Sequence, residues 1–361
     1  MHKFFTSSYD SSVYLQQPEQ NTGRDEILEV GKLYYGNTKD IARSFIKFNS
    51  TQISSSISDN NITGSWKAFL NLKAANSAEL PLEYTIYANA VSQSWTMGTG
   101  TKFDNVTSDG ISWKYRNGID TWQDNVIAGT AEFTPGTTGS ANAEGGTWYT
   151  GSQASQSFNY ETDDIRIDVT GIVKLWLSGS IPNNGFIVRH GLVNEEDTLD
   201  YGVLKFFSKE TGTIYEPKLE MVWNDTSFVT GSLSPVTGSA EDNYKVVLLN
   251  LKREYPKDQK IKIRVKGRDM YPLKSFGTTF EYDVVKYLPQ TTYYQLEDYI
   301  TNDIILPFGE YTKVSCDATS NYFVLDFSTL PIRRTYRLKL KIVEGGISTI
   351  IDDKLIFEIV Q

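Results

Sequence analysis

Two histidines, His2 and His190, and one cysteine, Cys316, are the whole supply of imidazole and thiol groups in these 361 residues. Zinc needs several such ligands converging on one point, so a zinc centre is excluded. A single cysteine also rules out an intrachain disulfide. No Gly-x-Ser-x-Gly elbow presents a serine nucleophile. His190 follows a short apolar run and precedes an acidic loop, which reads as a structural or surface histidine; His2 stands at an end expected to be mobile. Hard oxygen ligands are more plentiful. Asn194, Glu195, Glu196, Asp197 and Asp200 cluster, as do Glu161, Asp163 and Asp164, and calcium takes such groups. Neither run follows the EF-hand order, and both read as solvated acidic loops, so no metal is expected. Among 44 acidic residues no spacing singles out a pair for glycoside hydrolysis. Gly98 and Gly100 give the first two glycines of a dinucleotide fingerprint, without the third or the helix behind it, and read as a turn. The expectation is a protein with no catalytic site and no cofactor.

Two patterns carry more. Sugars are held on flat aromatic faces beside a polar edge. Trp113, Trp122 and Trp148 lie in a stretch rich in Gly, Ser and Thr, and are candidates for such platforms. The competing reading puts them in the core, where large aromatics mostly go. Further on, Lys260, Lys262, Arg264, Lys266 and Arg268 alternate with Ile261, Ile263, Val265 and Gly267. A period of two places all five cations on one face of a strand. Arg337, Lys339 and Lys341 repeat the pattern against Leu338, Leu340 and Ile342. A solvated outer face is one reading. A docking face for an acidic partner is the other. Nucleic acid is not expected, because the chain is acidic overall, with a pI of about 5.0, and shows no nucleic-acid fold signature.

These side chains need strands to hold them. The chain has 22 Tyr, 18 Phe and 7 Trp, which favours strands. Its length allows two or three domains. Tyr84, Ile86 and Ala88 alternate with Glu83, Thr85 and Tyr87, the period of a half-buried strand. Ile172, Val173, Trp176 and Leu177 share one face at helical spacing, with Asp168 or Thr170 to cap the start and Gly179 to end it. Residues 54–64, rich in Ser and Asn, read as a loop. Residues 92–160 read as long loops on a sandwich; a flexible linker is the alternative, but four tryptophans there argue against it. Few bulky residues occur over 227–243, which predicts a linker between domains at 1–226 and 244–361. Residues 1–243 carry 17 basic and 29 acidic side chains, while residues 244–361 carry 18 and 15, a split that fits two domains in different surroundings. The first residues carry no apolar signal-peptide core, and no apolar run approaches the ~18 residues of a membrane span. Synthesis in a cytosol and no membrane contact are expected.

The order of several short motifs resembles the DNRLRE family of β-sandwich modules. Ser11–Tyr14 through Asn21 and Gly23 looks like that family's opening strand and turn. Leu28–Gly31 and Arg43–Phe48 look like its next paired strands, and Trp95–Thr101 with Gly110–Trp113 like its middle. Asp168–Trp223 looks like its close. The whole chain also resembles uncharacterised virion structural proteins of tailed bacteriophages, which carry such a module ahead of a second β region. The resemblance implies an all-β protein: an N-terminal jelly-roll-like β-sandwich with one short helix, then a smaller C-terminal β-sandwich. It implies a structural virion component that contacts other virion proteins and sister copies. A carbohydrate-binding adhesin for host surface glycans is the alternative, and an enzyme acting on polysaccharide a weaker third.

Overall fold

Period-two alternation becomes strand, and among the described residues strands make up 49% against 10% helix. The computed structural model describes all residues except 60, 61, 63, 64, 79, 123–132, 136–143, 160–163, 239, 241, 242 and 272–283. Two compact units emerge: Phe4–Met221, and Val222–Gln361 together with Met1–Lys3. The fold is an all-β, multi-domain sandwich.

In the first part of the chain the elements are β1 (His2–Thr6), β2 (Tyr9–Tyr14), β3 (Ile27–Tyr35), β4 (Thr38–Lys47), α1 (Ser50–Asp59), β5 (Trp66–Leu72), β6 (Ala74–Ala78), β7 (Glu83–Val91), β8 (Phe133–Pro135), β9 (Thr147–Asn159), β10 (Ile165–Asp168), α2 (Thr170–Leu177), β11 (Phe186–His190), α3 (Leu192–Glu196), β12 (Gly202–Phe207) and β13 (Lys218–Trp223). A large sheet runs β6-β12-β3-β4-β11-β7-β9-β8, with β2 also paired to β4, and a small sheet runs β1-β13-β5-β10. All five residues of β11 are buried, so this strand is covered on both faces. Phe186 pairs with Ile46 and Ile187 with Phe45, so successive side chains enter opposite layers. The predicted helix is α2. Its backbone start is met by Asp168, whose carboxylate accepts from the Thr170 N–H at 3.1 Å. It ends at Gly179, with φ at +72°, a conformation that glycine adopts without strain. Trp176 of α2 lies 4.6 Å from Phe186, between ring centroids, while the Val169 N–H bonds to the carbonyl of Ala68 in β5. The helix therefore ties the two sheets together.

Three α-helices, not one, occur among the described residues. α1 lies where a loop was expected. Asn49 caps it by accepting from the Thr51 N–H at 2.9 Å, and Ile53 is its buried anchor. Serine-rich composition hides such a helix, since one apolar residue per turn gives little periodicity.

The second unit contains β14 (Tyr244–Leu248), β15 (Glu254–Pro256), β16 (Lys260–Asp269), β17 (Thr292–Asp298), β18 (Ile304–Leu306), β19 (Ser315–Cys316), β20 (Asn321–Asp326), β21 (Arg334–Glu344) and β22 (Ile347–Val360). Its sheets are β14-β16-β20-β19 and β15-β22-β21-β17-β18. Tyr294 of β17 stacks on Phe323 of β20 at 4.4 Å, joining them. Residues expected to form a linker belong to this unit. Ser227 accepts from the Cys316 N–H at 2.8 Å, and Val236 donates to the Tyr287 carbonyl at 3.0 Å. Small polar residues hydrogen-bond through their backbones as well as bulky ones do, which composition does not report. His2 is also not on a loose end: it is buried and meets Tyr311 edge-on, and the Met1 ammonium donates to the carbonyls of Trp223 and Tyr311, each at 2.7 Å.

Asp10 of β2 is a buried carboxylate with no ion pair among the described residues, although Lys209 acts on it at a distance. It accepts from Ser7 Oγ at 3.0 Å and from the Lys209 N–H at 2.9 Å. Burial outweighs these bonds and pushes it up to about 6 from 3.8. A raised carboxyl favours the fold at acid pH, and that contribution is lost as pH climbs through 6. Replacing Asp10→Asn should therefore stabilise the fold at pH 7 by up to about 3 kcal/mol, with little effect near pH 3.5. Urea unfolding at the two pH values checks this; an equal effect at both would sink it.

Candidate functional site

Three motifs that lie far apart in sequence meet on one side chain, Asn21. It is fully buried. Its Nδ2 donates to the carbonyls of Met97 and Ile111, each at 2.7 Å. Its Oδ1 accepts from the N–H groups of Gly100 at 2.8 Å and Gly23 at 3.2 Å. A carboxamide offers two donors and one two-lone-pair acceptor, and all four are used. The neighbouring glycines make room: a Cβ on Gly98 would fall 2.4 Å from Asn21 Oδ1, and one on Gly110 would fall 2.7 Å from its Nδ2. The turn read at Gly98 and Gly100 is thus one wall of a clamp. Asn21 itself gave no signal in sequence beyond a turn.

Beside the clamp lies a layer of aromatic and cationic side chains over β4 and β11. Trp113 and Trp122 are 0% exposed and Trp148 is 1% exposed, so none presents a ring face to a sugar. This corrects the platform reading: the three rings belong to one buried core cluster, Trp148 as part of β9. Trp122 stacks on Phe45 at 5.4 Å and donates through Nε1 to the Ser112 carbonyl at 3.1 Å. Trp113 and Trp148 flank the guanidinium of Arg43, at 4.7 and 5.4 Å from their ring centroids. Arg189 lies 4.3 Å from the Trp148 centroid. Burial outweighs the field of Glu195 and, helped by Arg43, pushes Arg189 down to about 10.

The acidic run 194–200 answers these cations. Glu195 is 2% exposed and holds Arg43 in a fork, with Nε donating to Oε1 at 3.1 Å and Nη2 to Oε2. Asp197 takes Lys32 Nζ at 2.9 Å, and Asp200 takes the Tyr34 N–H. The solvated-loop expectation fails here because buried cations on β3 and β4 need partners. No group of three or more His, Cys, Asp or Glu placed to hold a metal occurs among the described residues. Of the second acidic run, Glu161 and Asp163 lie outside the described residues, and Asp164 bonds to Lys73 Nζ at 2.7 Å.

On β16 the alternation is as expected, with Ile263 and Val265 buried. Lys260 and Lys262 are exposed, while Arg264, Lys266 and Arg268 are half-buried. The acidic partner of the first part of this row is internal. Asp317 takes Lys262 Nζ at 2.7 Å and a two-point contact from Arg264, at 3.0 and 3.1 Å. The Arg264 and Lys262 bonds hold the Asp317 carboxyl well below the usual carboxylate range. Lys262 also sits 3.5 Å from the Tyr322 ring centroid. Reversing these cations therefore acts on the fold as well as on any partner. Of the second row, Lys339 bonds Glu297 at 2.7 Å and Arg337 pairs with Asp352.

No protein-family model and no curated protein matches the chain. A solved structure that aligns with it is a DUF4785 family protein from Legionella pneumophila subsp. pneumophila str. Philadelphia 1, at 9% identity and a TM-score of 0.19, covering 100% of this chain and 65% of that one. This chain thus spans under two thirds of that protein's length. A likeness this faint carries no argument about fold or function.

Proposed function

We propose that this chain is a non-enzymatic structural component of a tailed-bacteriophage particle, acting through contacts with other virion proteins and with sister copies. The observation that carries this reading is the burial of Trp113, Trp122 and Trp148. A glycan-binding module needs ring faces open to solvent. Here the same rings pack around Arg43 and Phe45 and hold the loops 92–122 on the large sheet. The motifs that carry the family resemblance also serve the fold: Asn21, Gly23, Gly98, Gly100 and Gly110 form one clamp. Both findings favour a rigid scaffold whose working parts are its outer surfaces. Mass spectrometry of purified particles should find this chain at a copy number comparable to other structural proteins. Its absence from purified particles, together with glycan binding by the recombinant chain, would overturn the proposal in favour of an adhesin.

A further inference from the structure

His190 ends β11 fully buried, and neither ring nitrogen has a hydrogen-bond partner among the described residues. Its ring lies between Tyr84 of β7 and Tyr201, at 6.4 and 5.6 Å between centroids. The charged groups around it are Lys32 of β3 and Arg189 of β11, with Glu195 of α3 and Arg43 of β4 behind Arg189. Directly after His190 the chain leaves the sheet, forms α3 and returns at Tyr201. That excursion is held largely by side chains, with one backbone bond at its end. Arg43 grips Glu195, Lys39 Nζ reaches the Glu196 carbonyl, and Lys32 Nζ bonds to the carbonyls of Asp197 and Leu199 and to the Asp197 carboxylate. The Tyr201 hydroxyl closes it by donating to Asp197 at 2.7 Å.

We propose that residues 191–201 form a strap that mild acid loosens, with His190 as the group that senses the proton. A protonated ring would be a third cation beside Lys32 and Arg189, with no acceptor for either N–H. Relief comes from the part that lies outside the ladders. β7 and β11 are locked in ladders, whereas the strap is a single helical turn and a loop joined to the sheet by side-chain bonds and by one backbone bond, from the Tyr201 N–H to the Lys32 carbonyl at 2.9 Å. Opening it hydrates the ring. Burial, with Lys32 and Arg189 adding to it, holds the closed-state ring down at about 4, against 6.5 when free. The open form therefore gains protons first as pH falls from 6.5 to 4, and opening becomes easier over that window. Burial works the other way on Asp197, but hydrogen bonds from Tyr201, the Leu199 N–H and Lys32 hold it below its ordinary value, so its link to Lys32 persists while His190 responds.

Hydrogen exchange on the full chain, corrected for intrinsic rates, tests this at pH 7.5, 6.0 and 4.5. Opening of residues 191–201 should rise roughly 70-fold from pH 7.5 to 4.5, while ladder amides of β7 and β9 stay protected. In His190→Phe the rise should vanish. A flat wild-type profile, an equal rise in His190→Phe, or β7 and β9 opening together with the strap would each overturn the proposal. Should His190→Phe not fold, imidazole NMR of the wild type decides, since the chain has only 2 histidines to assign. Ring titration near 4, with strap exchange rising as pH falls from 6.5 towards 4, supports it; titration near 6.5 with the strap still protected overturns it.

Discussion

Replacing Asn21→Leu is expected to lower the stability of the Phe4–Met221 unit by about 4 kcal/mol or more, enough to leave many such domains largely unfolded. Leucine has similar bulk but no polar atoms. It would strand the carbonyls of Met97 and Ile111 and the N–H groups of Gly23 and Gly100, all bonded to Asn21 in the wild type. An unmade buried hydrogen bond costs about 1–3 kcal/mol, and four are lost together. Asn21→Asp separates chemistry from volume. It keeps the shape but turns the two donor positions into acceptors facing carbonyls, so it should be at least as damaging. Urea unfolding followed by tryptophan fluorescence checks both. If Asn21→Asp were near wild type, the clamp would owe its strength to packing alone.

The second large effect concerns Arg43 and Glu195. Glu195→Gln leaves Arg43, 1% exposed, without its counter-charge, and a loss of about 3–5 kcal/mol is expected. The double change Arg43→Met with Glu195→Leu removes both charges at similar volume and should be far milder than the sum of the single changes, because no lone charge remains buried. Trp113 and Trp148 flank Arg43, so their fluorescence reports on the site directly. Strictly additive losses in the double-mutant cycle would mean that the pair is not coupled.

What the sequence made legible was local. Ile263 and Val265 face inward as period two requires, and Ile172, Val173 and Trp176 form the buried stripe of α2. What it left open was every choice settled by distant partners. Tryptophans in a Gly- and Ser-rich stretch fit a core better than a platform, but only Arg43 and Phe45, placed against them, decide it. The cations of β16 looked unanswered because Asp317 lies 55 residues beyond Lys262. α3, with five residues, is too short to show a helical period, and its reason for existing is a buried arginine 152 positions earlier. Asn21 is the extreme case, since its type suggested a turn and nothing nearby hinted at four distant bonds.

The reach of that asparagine also bears on how the chain is made. Its partners Met97 and Ile111 lie 76 and 90 residues downstream. At roughly 5–20 residues per second, Asn21 is synthesised on the order of 5–20 s before Ile111. The first strands must therefore wait with their polar groups in water, and the clamp can close only after a long loop has been drawn in, a topology that folds slowly. During synthesis this module depends on its N-terminal strands staying soluble until their middle arrives.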